Sequence, residues 1–496
     1  MYGGDVVGAG TLPPVDLAIA GHTDQPDDRQ HMERSPSMDS HSKRCLVLGK
    51  GVTLVKEALS DLGMTCTPGR FSWRVLWSPR GLPLDSYKQL ASYQVVNRLP
   101  GSQTLTRKDA LVVNIRRMIK RHGRQHFGMI IPQTFLLPGE ADRLACAMRT
   151  RPHALWITKP TTGSQGKDIS IIKSRKTVVA KMDTIVSRYV QPYLIDGRKF
   201  DLRLYVAVTS VDPLRVYLFK DGIVRLATEP YTKDPTQLAN QFIHLTNVAI
   251  NRNHPEYDDV NEIGHKRRLS TLWDLLGKEH AGQVQVAIKA LVAKTMICVH
   301  SVLSASIQHH VPLRRSNQMF ELFGFDVLLD HKLHPWLLEV NRCPTLAGSS
   351  PIDTDIKKAM LSDLFSLIGI GEPTSGLGAS TGRRSAPPSE SRSAIFSETD
   401  AEYARRRNWE RVYPRFEPHP RLSLAQFFDE RDARALSFAL CNRIPPPIPH
   451  SRTLTRDVQS RIHGLRNGGF VSNVNDQALL RTVRRQFGMQ YKQQCL

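Results

Sequence analysis

At 496 residues the chain has room for two or three domains and a sizeable core. Its 68 Lys+Arg against 46 Asp+Glu leave a net charge of +22, which calls for an acidic partner and leaves nucleic acid, anionic membrane and acidic protein all open. Seven scattered cysteines without a CxxC pair argue against a disulfide scaffold or a zinc site and for a reducing compartment.

Residues 1–44 are polar and aperiodic and read as a disordered leader without an apolar signal-type run. From Cys45 the pattern changes: CLVLG is a short buried strand, Val55–Leu62 a helix and Trp73–Trp77 a second strand, within a small α/β domain spanning 45–138. A helix over Asp109–His122 carries or adjoins Arg107, Lys108, Arg116, Arg117, Lys120 and Arg121, which suits a solvated face as well as a surface for phosphate or an acidic partner.

The segment Ala154–Ile172 reads as strand, loop, strand. Lys159 ends the first strand, and the loop that follows holds Gly163, Ser164 and Gly166. A lysine point charge beside loop amides suits a triphosphate, although such a loop alone is more often just a turn. Next comes an antiparallel meander over Leu202–Val208, Arg215–Phe219 and Ile223–Thr228, with turns expected at Val211-Asp212-Pro213 and Lys220-Asp221-Gly222. Arg198, Lys199, Asp201, Arg203 and Arg225 interrupt its apolar runs, where unpaired charge is costly. Phe242–Asn251 reads either as a capped turn between strands or as a segment in which Thr246 and Asn247 offer polar atoms to a nucleotide.

Val284, Ile288, Leu291, Thr295, Val299 and Leu303 recur at three- and four-residue spacing as one core-facing helix stripe. Lys289, Lys294 and His300 within Ala287–Ile307 argue against a membrane span. The runs Phe320–Leu329 and Trp336–Val340 then form a β-hairpin. Strand alternation puts Glu339 and Asn341 on one face, which Asp326 of the partner run can share. Two carboxylates and a carboxamide on an apolar hairpin repel and lose hydration unless a cation lies among them, and hard oxygen ligands suit Mg2+. An amphipathic helix with Lys357 and Lys358 exposed or turned to the site follows, then a Gly/Ser/Pro-rich linker (371–400) and a basic, partly helical extension (401–496) that would dock on something acidic and extended.

The ordered set RKD, WITKP…SQGK, SRYV, DGRKFDLRLYV, HLTN and FELFGFDVLL…PWLLEVN, from about Asn97 to Ile370, resembles the tubulin tyrosine ligase-like family, polyglutamylase type. The resemblance implies an α/β (α+β) ATP-grasp fold, with central and C-terminal lobes at 139–370 closing on ATP. It implies a ligase that uses ATP and Mg2+ to activate a glutamate side chain of an acidic tubulin tail as an acyl phosphate, which the amine of free L-glutamate attacks. Glycine as the added amino acid, or a non-catalytic microtubule-binding protein, are the alternatives. It further implies a monomer in the cytoplasm and cytoskeleton, with the cilium or flagellum axoneme or basal body as particular sites, and with neither nucleic acid nor membrane as partner.

Carried over residue by residue, the ATP site comprises Lys159, Gln165, Gly166, Ser187, Arg188, Tyr189, Val190, Lys199, Phe200, Asp201, Thr246 and Asn247. Asp326, Glu339 and Asn341 carry the metal; Arg225, Ala249, Lys266 and Lys357 bind the amino acid; Arg225, Glu339 and Asn341 form the catalytic set. The chain departs from the family pattern at Asp168, where glycine is usual, at HKRR around Lys266, which lacks a following tryptophan, and at VNRCPT, which sets Arg342 beside the metal residues.

Overall fold

The computed structural model describes residues 43–66, 73–91, 93–163, 165–173, 183–261, 263–311, 318–370 and 400–414. Nearly all of the expected leader and linker, and the expected extension beyond residue 414, lie outside the described residues.

The first unit is a parallel sheet of β1 (Arg44–Val47), β2 (Thr65–Cys66), β3 (Val75–Trp77) and β4 (Val95–Val96) in the order β2-β1-β3-β4, crossed by helix α1 (Thr53–Ser60). Leu54, Val55, Ala58 and Leu59 of α1 are buried, the spacing of one helical face. The basic helix α2 (Lys108–His122) buries Leu111, Val112, Ile115 and Met118 and ends at Gly123. The next strand, β5 (Thr134–Leu137), does not join the first sheet. With helix α3 (Ala141–Thr150) beside it, it pairs into an antiparallel sheet with β6 (Trp156–Pro160), β7 (Ser170–Ile172) and β8 (Thr184–Arg188), ordered β5-β8-β6-β7. The change of unit therefore falls ahead of Thr134 rather than at residue 138.

The central sheet is built on a long hairpin, β10 (Arg198–Val211) and β11 (Leu214–Leu226), with the short β9 (Leu194–Ile195) beside β10. Two short helices, α4 (Gln241–His244) and α5 (Val248–Asn251), lead to β12 (Lys266–Arg268) and the long helix α6 (Leu269–His310), which is kinked at Gly277 where the backbone leaves the helical conformation (φ +72°). Then come β13 (Glu321–Leu329), β14 (Pro335–Asn341), helix α7 (Pro351–Leu367) and, among the residues described after 370, β15 (Trp409–Tyr413). The strand order is β12-β11-β10-β13-β14, with β15 also paired to β11.

Two expectations are corrected here. Lys220-Asp221-Gly222 is no turn: β11 runs through it, and the register slips from Val206↔Leu218 to Leu204↔Gly222. A Cβ at Gly222 would stand 2.7 Å from the Arg203 carbonyl oxygen, so close backbone approach, not reversal, requires this glycine. Trp409–Tyr413, assigned to the extension, is a strand of the central sheet.

Side chains of the central sheet divide by alternation. Phe200, Leu202, Leu204, Val206 and Val208 join the core beneath α6, whose stripe residues from Val284 to Leu303 are buried there. The opposite face offers Tyr205, Ala207, Tyr217 and Phe219, which pack with Trp77 of the first unit, Phe320 just ahead of β13, and Ile356 and Phe365 of α7. Helix α6 is long and apolar enough to cross a membrane, yet most of its apolar window is buried on the sheet. Glu321, at the start of β13, accepts hydrogen bonds from the Arg98 guanidinium and from the Leu99 backbone N–H (3.0 Å), fastening the first unit to the sheet.

The segment 400–414 closes the far end. Trp409 is fully buried against Phe219, and Glu402 accepts a hydrogen bond from the Thr209 hydroxyl (2.7 Å) and pairs with the wholly buried Arg215 (3.1 Å). Removing one partner of such a pair strands a buried charge, so Glu402→Ala should lower stability by about 3 kcal/mol in a denaturant titration. A loss below about 1 kcal/mol would mean that the segment is not part of the cooperative fold.

Candidate active site

One row of charge crosses the central sheet. In the ladder Lys266 stands opposite Arg225, Arg225 opposite Asp201, Arg203 opposite Asp326 and Asp326 opposite Glu339. Cross-strand partners share a face, as do residues two apart on a strand, so Lys199, Asp201 and Arg203 line up on it with the others. Asn341 joins them two residues beyond Glu339, opposite Gly324. The alternation read from the sequence therefore holds: Asp326, Glu339 and Asn341 lie on one face.

Above this row the β5–β8 sheet leaves a cleft of about 1160 Å³, counting its open mouth. It is lined by Lys159, Gly166, Ser187, Arg188, Tyr189, Val190, Lys199, Asp201, Thr246, Asn247, Asp326 and Glu339, with Ile157, Ile185, Leu328 and Leu337 as apolar walls. Twelve of the residues assigned from the sequence thus meet in one place. Phe200 does not: its side chain is fully buried in the core on the other face, as its position between Lys199 and Asp201 requires. Gln165 is exposed on the loop, and Ala249 is half-buried in α5.

Lys199 donates to the Tyr189 hydroxyl (3.1 Å) and the His244 carbonyl (2.7 Å), which ties the segment bearing Thr246 and Asn247 to the sheet. Burial and the nearby Lys159 cation bring the Lys199 ammonium down to about 7, against the pull of Asp201. Burial likewise lowers Lys159, opposed by Glu339 and reinforced by Lys108. His244 is driven down to about 4 by burial and by Lys199, so it is neutral at physiological pH.

Asp326 is gripped by two guanidiniums. Arg203 donates to both its oxygens (2.6 and 3.2 Å) and Arg225 lies 2.8 Å away, while Arg225 also holds Asp201 through two bonds of 2.7 and 2.6 Å. Burial disfavours the Asp326 carboxylate, but these guanidiniums outweigh it and hold its pKa well below the usual carboxylate range. Glu339 pairs with Lys108 at 3.1 Å and accepts from the Asn341 amide at 3.3 Å.

Behind Arg225 lies a second cation cluster. Lys266, buried in β12, reaches the Ser349 hydroxyl (2.8 Å), Asp353 (3.0 Å) and Asp259 (3.0 Å). Lys357, also buried, pairs with Asp353 (3.2 Å) and donates to the Ala347 carbonyl (2.8 Å), whereas Lys358 points out beside Glu57 and Asp61. One carboxylate thus holds two lysines side by side.

The departures from the family pattern acquire physical reasons. Asp168 has φ +57°, a left-handed conformation that glycine adopts freely and aspartate tolerates, and its exposed side chain does not line the cleft. Gly166 (φ +78°) packs so closely that a Cβ would meet Ile250 at 2.5 Å and Asn247 at 3.0 Å. Arg342 turns its side chain outward, and its carbonyl accepts from Arg98.

Four contributors were not assigned to the site from the sequence: Lys108, Arg203, His244 and Asp353. Lys108 was visible in RKD, but only the fold brings its ammonium to Glu339. Arg203 was flagged as a costly strand charge; its distance of two residues from Asp201 signals the shared face. Asp353 stands four residues before Lys357, the spacing of a helical ion pair. His244 carried no such signal.

Comparison with known proteins places the chain in a family. Residues 86–375, more than half of the chain, match the model of the tubulin-tyrosine ligase family. The human tubulin monoglutamylase TTLL4 is 37% identical over 327 residues, covering 64% of this chain and 27% of that protein. The tubulin polyglutamylases TTLL5 and TTLL6 of Mus musculus are 40% identical over 312 residues (61% of this chain, 23% of that one) and 36% over 324 (64% and 39%). The chain therefore spans only about a quarter to two fifths of the length of these relatives. With the match running through the hairpin, the lysine-bearing strands and the long helix alike, the chain belongs to the tubulin-tyrosine ligase family.

Proposed function

We propose that the chain is an ATP- and Mg2+-dependent ligase that joins glutamate, through an isopeptide bond, to glutamate side chains in the acidic tails of tubulin, and that it works on the microtubule cytoskeleton. The observation that carries this reading is the cleft itself, lined by Lys159 from one sheet and by Lys199, Asp326 and Glu339 from the other, with a separate lysine pair behind Arg225. Relatives 37% and 40% identical to the chain carry the names monoglutamylase and polyglutamylase.

The residues fit Mg2+. Among the described residues no three His, Cys, Asp or Glu side chains gather around one point, so the protein's contribution is two carboxylates and the Asn341 amide. That small set of hard oxygens is what Mg2+ accepts when phosphates and water fill the remaining positions, and each carboxylate keeps lone pairs beyond those its cationic partners use. Bound there, the ion supplies charge neutralisation for the transferring phosphoryl group.

The chain's own groups do the rest. Lys159 and Lys199 neutralise phosphate oxygens, and the backbone of Ser187–Val190 faces the base edge between the apolar walls. The terminal phosphoryl group passes to the tail carboxylate, giving an acyl phosphate and ADP; the amine of the free amino acid then attacks the acyl carbon and phosphate leaves. Lys266 and Lys357 hold the incoming carboxylate, with Arg225 between them and the reacting centre.

Purified protein, microtubules, Mg-ATP and labelled glutamate or glycine in parallel test the reading. Glutamate incorporation is expected. Preferential glycine incorporation would make the chain a glycine ligase, and incorporation of neither with microtubule binding retained would sink the enzyme reading.

Lys199 gives a pH signature. Its folded pKa of about 7 lies below the ordinary 10.5, so between those values the unfolded chain binds a proton that the folded chain lacks. Its destabilisation is complete below pH 7 and fades as pH rises toward 10.5. A polyphosphate restores the charge, so binding of a non-hydrolysable ATP analogue at pH 8 should take up protons, and affinity should fall as pH rises. Calorimetry in buffers of differing ionisation enthalpy reads this directly; identical heats in every buffer, or uptake undiminished in Lys199→Met, would contradict it.

For tail recruitment we look beyond Pro414. Arg411 is buried and Arg406 stacks on Tyr403 at 3.8 Å, so these two arginines of 400–414 serve the fold. A chain ending at Pro414 should keep its thermal midpoint yet bind microtubules more weakly in a salt-sensitive way. Undiminished affinity at low salt would count against the extension as the docking element.

A further inference from the structure

Away from the cleft, two cysteines stand face to face. Cys45 on β1 and Cys66 on β2 are partners in the parallel register, with their sulfurs in direct contact and both present as thiols. Strand neighbours lie about 4.8 Å apart, inside the roughly 4.4–6.8 Å between Cα atoms that a disulfide spans. The two differ in access: Cys45 is fully buried in the core that includes Val55, Ile352 and Ile356, whereas Cys66 is exposed on a two-residue edge strand. An exposed thiol backed by a buried one within reach is the arrangement of an attacking and a resolving cysteine.

We propose that Cys45 and Cys66 form a reversible dithiol switch, oxidised by exchange with a small-molecule disulfide of the glutathione class. The Cys66 thiolate attacks one sulfur of the oxidised glutathione, forming a mixed disulfide and releasing one glutathione thiolate. Cys45 gives its proton to solvent and its thiolate attacks the Cys66 sulfur, expelling the second glutathione. One disulfide is consumed and one formed, and two electrons pass from the protein to the oxidant. Burial pushes the Cys45 thiol up, so the second step is the slower and the mixed disulfide is a transient species.

The bond would close the loop that carries α1 and pin the edge strand to its neighbour. Helix α1 packs on α7, where Lys358 reaches Glu57 (3.7 Å), and α7 carries Asp353 and Lys357. Oxidation would therefore stiffen the support of the second cation cluster from outside the cleft.

The test is equilibration of the full chain in glutathione buffers of graded oxidised fraction, quenching by alkylation and peptide mass spectrometry, with Cys146 and Cys343 as exposed internal controls. A Cys45–Cys66 linked peptide is expected, reversed by dithiothreitol and accompanied by a thermal midpoint a few degrees higher. Cys45→Ser should arrest at glutathionylated Cys66, and Cys66→Ser should leave Cys45 unmodified. A wild-type chain in which Cys66 stays glutathionylated at equilibrium, or in which neither cysteine is modified while Cys146 and Cys343 are, would overturn the proposal.

Discussion

Glu339→Gln is expected to lower ligation by about two to three orders of magnitude, the loss that follows removal of one preorganised charge-stabilising group. The substitution keeps the side chain's shape and takes away its charge. Lys108 still reaches the Gly163 carbonyl at 3.4 Å, and Glu339 keeps part of its surface in water, so stability should change by only about 1 kcal/mol. Single-turnover transfer of labelled glutamate, read beside a thermal melt, separates the two effects. Residual activity within tenfold of the unmutated chain would remove Glu339 from the metal-bearing set.

Asp326→Asn is expected to behave differently, because Asp326 has a second task. It neutralises Arg203 and shares Arg225 with Asp201 at 3% exposure, so an amide in its place leaves buried guanidinium charge with one carboxylate fewer. Breaking a buried ion pair from one side costs about 3–5 kcal/mol, and for a unit of this size that corresponds to a fall of about 10 °C in thermal midpoint. Activity and stability should therefore fall together. A variant that is inactive but melts with the unmutated chain would show that Arg203 and Arg225 are satisfied without Asp326. A pH dependence follows: the Asp326 pKa is depressed in the folded state, so its stabilisation is present above the ordinary carboxylate range and is lost as pH falls from that range toward the depressed folded value.

The part of this site legible in the sequence was the part that strand alternation governs. Glu339 and Asn341 are two residues apart, and an apolar hairpin that carries carboxylates announces a cation. Lys159 and its loop were legible as a phosphate cradle, but only together with that hairpin. What alternation cannot supply is register between strands far apart in sequence. Lys266 faces Arg225 across a ladder whose strands are separated by the whole α4–α5 region, and no local pattern encodes that pairing. Lys108 was open between a solvated face and a phosphate surface for the same reason. The resemblance carried Phe200 into the nucleotide site with its neighbours, while alternation sends its side chain to the core. At Lys220-Asp221-Gly222 turn chemistry and strand continuity competed, and pairing on both sides of β11 prevailed.

The placement of β15 has a consequence for how the protein is made. Glu402 meets Thr209 across 193 positions of sequence, and Trp409 covers Phe219 on the same hairpin. During synthesis the middle of the sheet is complete in sequence long before its last strand emerges. Until then Arg215 lacks its carboxylate and the β11 edge lies open to other chains. Closure at such separation is slow by nature, so the nascent chain passes through an interval in which its largest sheet is formed but unsealed. Among the described residues, the segment that looks like the start of a tail is the last piece of the core to arrive.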